Sequence, residues 1–187
     1  MKRFKLSLAL IVTVFLFAWM PNIKAYDPEN QIKFNYKYNR SLNNTCYWIS
    51  GSASGFTSSI NNAAYDWAHL KNPIVMTPVS SSYATHMDFY GKPSSFWPNA
   101  GIVGETRFFT SNGSSISPNS GNWFYTDIYL NTTSSYNVQG TTAHEMGHAF
   151  GLAHWNSNPN SIMCQAKKRT VQTVQAIDNQ HLNEKYR

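Results

Sequence analysis

At 187 residues the chain can bury one substantial core but is short for two domains. Its formal charge of +6 overstates what the folded surface carries. Four of the fifteen basic residues, Lys2, Arg3, Lys5 and Lys24, fall in the first 25 positions, where there is no acid. Eleven basic against nine acidic residues then remain, a balance near +2 that gives no case for nucleic acid as a partner.

Those first positions have the order of a secretory signal. A basic start is followed by an apolar run from Leu6 to Met20, then Pro21 and a small residue, Ala25, at a processing point. Fifteen residues fall short of the ~20 that span a bilayer, so cleavage is expected, giving a secreted, extracellular protein with no membrane attachment. The expected division is a signal peptide over 1–25, a short N-terminal arm or propeptide over 26–40, and a folded domain over 41–187.

In chain order, residues 26–40 read as an extended arm with poor periodicity. Thr45 to Ser50 is β-branched and aromatic, hence a strand. From Thr57, a possible N-cap, Ile60, Ala63, Ala64 and Trp67 recur at helical spacing until Pro73. Ile74–Val79, Ala84–Tyr90 and Ile102–Thr110 read as strands, and 111–122 as a polar loop. In Trp123–Asn131, Phe124, Thr126, Ile128 and Leu130 face one way and Trp123, Tyr125, Asp127 and Tyr129 the other. A helix carrying histidines starts near Asn137. The tail from Thr170 to Tyr186 sets Val171, Val174, Ile177, His181 and Leu182 on one helical side. Lys167-Lys168-Arg169 reads as a solvated turn. The sum is a small α/β (α+β) domain.

The chemistry is concentrated in residues 144–163, HEMGHAFGLAHWNSNPNSIM. On a helix, His144 and His148 project from one face, and neutral imidazoles suit Zn²⁺. Gly151 can end the helix at positive φ, letting the chain turn and bring His154 in as a third ligand. Three protein ligands leave a fourth position for water, as in catalytic zinc; structural zinc closes with four. Glu145, next to the first ligand, can take the proton of that water as it attacks a carbonyl and pass it to a leaving amine. One catalytic zinc is expected. His86 and Asp88 could bind a second metal but read better as ordinary strand residues.

These residues resemble the metzincin clan of zinc metallopeptidases. His144, Glu145, His148, Gly151 and His154 match its extended motif, Met163 is similar to its Met-turn methionine, and the short step from His154 to Met163 is most similar to the matrixins. The resemblance implies a zincin fold, a twisted mixed sheet on two long helices with a small C-terminal subdomain ending in a helix. It implies an endopeptidase, acting as a monomer on extended protein or peptide substrates, with 41–187 as its catalytic domain. Gly104, Glu105 and Thr106 would then belong to the strand that pairs with substrate, and 164–172 would line the pocket for the side chain after the cleaved bond. Trp155 and Gln165 depart from the familiar subfamilies, and no propeptide cysteine motif is present. Asp27 is one residue that could cap the zinc from the arm.

Two cysteines, Cys46 and Cys164, remain. In an oxidising compartment an even count favours a disulfide, and one spanning this loop would contribute on the order of 4–5 kcal/mol. The alternative is two buried free thiols.

Overall fold

The computed structural model describes residues 32–70 and 74–187. The signal segment 1–25, Asp27 and Pro73 lie outside them. Six strands form one mixed sheet: β1 (Thr45–Ile49), β2 (Met76–Val79), β3 (Met87–Lys92), β4 (Gly104–Phe109), β5 (Ser115–Ile116) and β6 (Tyr125–Asn131). Their order is β2-β1-β3-β6-β4-β5, parallel from β2 through β6, with β4 antiparallel to β6 and β5 antiparallel to β4. β5 pairs only Phe108 and Phe109, so Gly104–Arg107 of β4 have a strand partner on one side alone among the described residues.

The two-residue period sorts the strands into faces. Tyr47, Met87, Phe89, Thr126, Ile128, Leu130 and Phe108 are buried on one face, against helices α1 (Thr57–His69) and α2 (Val138–Ala149). Helix α1 turns Ile60, Ala63, Ala64 and Trp67 inward, as their spacing predicts. Helix α2 starts where Asn137 caps it, the side-chain oxygen accepting from Gly140 N at 2.8 Å. It is buried on all sides from Gly140 to Ala149. Two indoles tie it to its neighbours, Trp67 Nε1 donating to Ala143 O and Trp123 Nε1 to Ala149 O. Trp123 is fully buried; it precedes β6 and does not follow that strand's alternation.

The last helix is shorter than expected. The tail helix α3 spans only Ala176–Tyr186; Thr170–Gln175 is not helical, and Asp178 fixes the start by accepting from Gln175 N at 2.9 Å. Residues 32–40, read from the sequence as an extended arm, run as a strap packed on the domain. Phe34 and Tyr38 are 5 % and 4 % exposed and belong to the core. Phe34 N donates to Gly151 O, and Ala153 N donates to Ile32 O. The end of α3 grips the same strap: Lys185 Nζ donates to Phe34 O, Lys33 pairs with Glu184, and Tyr186 Oη accepts from Tyr38 N while donating to Phe150 O.

The expected Cys46–Cys164 disulfide is not formed; both thiols are free. Each has a different neighbourhood. Cys46 Sγ on β1 lies 3.0 Å from His86 Nδ1, whereas Cys164 is buried after Met163, where its carbonyl accepts from Arg169. The even count carried no geometric information, and a bridge demands Cα atoms within about 7 Å.

On the opposite sheet face, Asp88 is buried beside Thr85, which donates to it, and burial pushes its carboxyl up to about 6. A folded-state value above the unfolded one means that ionised Asp88 costs stability. The cost is absent below pH ~4 and complete above about pH 6 to 7. Asp88→Asn is therefore expected to stabilise the protein at pH 7.5, by on the order of 1 kcal/mol, and to change little at pH 4. Urea unfolding at the two pH values measures this.

Candidate metal centre and catalytic cleft

Helix α2 places His144 and His148 one turn apart on one face, both buried. It ends at Phe150, and Gly151 takes φ +98°, the positive value its position predicts and one that a side chain would strain. The turn brings His154 back. The Nε2 atoms of His144 and His154 lie 3.1 and 3.2 Å from that of His148. Three nitrogens on one tetrahedral zinc at about 2.0–2.1 Å would stand roughly 3.3 Å apart, so the cluster has the right size. Among the described residues these three histidines are the one group of three or more His, Cys, Asp or Glu able to hold an ion.

The outward nitrogens are committed. His144 Nδ1 is 2.8 Å from Ile162 O and His148 Nδ1 is 2.8 Å from Leu152 O. A carbonyl there needs the proton on Nδ1, which leaves the Nε2 lone pair for metal. Burial, and then the neighbouring imidazoles, lower His144 well below its ordinary value, so it is neutral as a ligand must be. The ring of Phe34 packs on that of His148, with centroids 5.6 Å apart.

Met163 packs against α2 at Gly147, next to His148. Its Sδ would sit 2.3 Å from a Cβ on Gly147, so only glycine lets the helix settle there. Asp178, unnoticed in the sequence, holds the turn, accepting from Ser161 Oγ and from Ile162 N at 3.0 Å. Burial raises its carboxyl and these donors pull it back. The same Ile162 then orients His144.

Glu145 is 5 % exposed, and Thr106 Oγ1 donates to its Oε2 at 2.7 Å. Burial raises this carboxyl to about 7, and the Thr106 bond opposes the rise; a dication alongside would lower it further. Gly104 leaves the room that Glu145 needs, since a Cβ there would stand 2.8 Å from Oε1. Of the three β4 residues singled out in the sequence, Gly104 and Thr106 thus meet Glu145. Glu105 turns to the other face and forms a bidentate pair with Arg107, at 3.0 and 3.1 Å. His86 is held by Cys46, whose N–H donates to its Nδ1 at 2.7 Å.

The Lys167-Lys168-Arg169 turn also needs correcting. Both lysines are exposed, but Arg169 is 8 % exposed, its guanidinium donating to Val171 O, Ile162 O and Cys164 O. Burial lowers its pKa, and the charges of Glu145, Cys164 and Asp178 raise it.

A search among curated proteins finds no significant match. The family profile described as Matrixin matches residues 47–187, about three-quarters of the chain, and takes in most of β1, strand β4, all three histidines and the Met163 turn. With the zincin architecture and a three-histidine cluster sized for a single zinc, the chain belongs to the matrixins and is a zinc-dependent endopeptidase.

Proposed function

We propose that Glu145 is the general base of peptide-bond hydrolysis, working on extended protein chains laid along β4. The observation that carries this is the Glu145 carboxylate, buried next to His144 and held by Thr106 Oγ1 at 2.7 Å. Zinc bound by His144, His148 and His154 supplies Lewis acidity, polarising the scissile carbonyl and making water easier to deprotonate. Glu145 takes the proton as the water attacks and returns it to the departing amine. Thr106 fixes the carboxylate so that this transfer needs no rotamer search. The one-sided pairing of Gly104–Arg107 supports substrate binding as an added strand, with main-chain bonds fixing the scissile carbonyl near the cluster.

The finer biology rests on the sequence. Residues 1–25 act as a cleaved signal and the enzyme works outside the cell, as a monomer. The packing of Phe34 and Tyr38 favours placing the domain's start at or before residue 32, so any removable propeptide is limited to residues upstream of it.

The test is cleavage of an unbiased peptide mixture by the secreted protein, with and without a chelator. The expected result is endoproteolytic products that vanish on chelation and return when Zn²⁺ alone is restored. Zinc-loaded protein that releases no product would replace this reading with that of a binding module.

A further inference from the structure

Arg169 is a buried cation without a carboxylate partner among the described residues. Asp178, whose charge it feels, has its oxygens on Ser161, Ile162 and Gln175, and the Glu145 carboxylate is held by Thr106. The guanidinium is also only loosely bound by main chain. Nε makes a normal bond to Val171 O at 3.0 Å, while Nη1 reaches Ile162 O and Cys164 O at 3.4 Å each. Nη2 donates to no protein atom among the described residues. A guanidinium presents five N–H groups in a rigid fork shaped for a carboxylate, and burying that charge unpaired is costly.

Its place gives the reason. Nη2 lies 2.9 Å from where a Cβ on Gly140 would stand, and Gly140 is one helical turn before His144 on α2. A Cβ at 140 would meet Gln172 Oε1 first, at 2.1 Å, and then the fork, and glycine leaves room for both. On its other side Nη1 approaches the carbonyl that orients His144. The under-used edge of the guanidinium therefore lies between α2 and the segment after Met163, one turn from a metal ligand. An extended chain advances about 3.3–3.6 Å per residue, so a substrate with its scissile carbonyl at the cluster has only a flanking side chain within reach of this edge.

The geometry points to Arg169 as a specificity-determining residue that receives an acidic side chain, Asp or Glu, next to the scissile bond. This rests on the catalytic reading above. A neutral or apolar side chain at that position leaves the cation unpaired, whereas a carboxylate takes two of its idle N–H groups.

The experiment compares zinc-loaded full-length protein on peptides identical except for Glu, Gln or Leu at each of the two positions flanking the cleaved bond. At one of them Glu is expected to exceed Gln and Leu in kcat/KM by roughly tenfold or more, an advantage that shrinks with added salt. Arg169→Met should abolish the difference, and Arg169→Lys should retain part of it. If Arg169→Met does not fold, the wild-type ratio of Glu to Gln decides the matter. Leu or Gln cleaved as well as Glu at both positions would overturn this inference while leaving the catalytic reading intact. No cleavage of any peptide would overturn both.

Discussion

Glu145→Gln is expected to lower kcat by about 10²–10⁴-fold with KM and zinc content little changed. Glutamine has nearly the same shape, and its amide oxygen can still accept from Thr106 Oγ1, so the change removes basicity without emptying the space. Gly104 and the three histidines keep their surroundings, because neither the cramped approach of β4 nor the Nδ1 contacts to Ile162 O and Leu152 O depend on the charge of residue 145. Measured zinc stoichiometry of one, with a melting temperature at or above that of the parent, would show an intact site. Removing a buried carboxylate that burial raises to about 7 is if anything stabilising at neutral pH in the metal-free protein. Retention of more than a tenth of the parent kcat would remove Glu145 from the proton transfer.

The second large effect is on folding. A chain that begins at residue 41 loses Phe34 and Tyr38 from the core, the Phe34 ring from His148, and every bond that the strap makes to Gly151, Ala153 and α3. Emptying a single large aromatic site costs about 3–5 kcal/mol, against a total stability of roughly 5–15 kcal/mol. The truncated chain should be largely unfolded at 37 °C and bind zinc weakly, whereas one that begins at residue 32 should match the parent. Circular dichroism melts of the two forms make the comparison. Equal melting temperatures would mean that the strap is an accessory and that the whole of 26–40 is removable.

These two predictions draw on opposite parts of what the sequence disclosed. The metal cluster is local: a four-residue helical step and a glycine that ends the helix place two ligands and turn the chain for the third, so spacing alone was enough. Helix α1 was equally legible, because Ile60, Ala63, Ala64 and Trp67 sit on a single stripe. The strap was not, since its partners are more than a hundred residues away at Gly151 and Glu184–Tyr186, and its own residues lack any period. Arg169 was hidden for a related reason. Its two lysine neighbours gave the turn a solvated composition, and only the loop's path turns the third basic side chain inward. Asp178 left a faint trace, as an acid three positions after the residue that starts α3, a capping pattern that the expected longer helix concealed. The disulfide failed because parity counts thiols but does not locate them.

The order of synthesis bears on the strap. Phe34 is made 151 residues before Lys185, whose ammonium holds its carbonyl. A growing chain can bring the sheet and α2 together earlier, but the strap cannot gain its bonds to Glu184, Lys185 and Tyr186 until α3 has emerged. Locking of the strap is therefore a late step of folding.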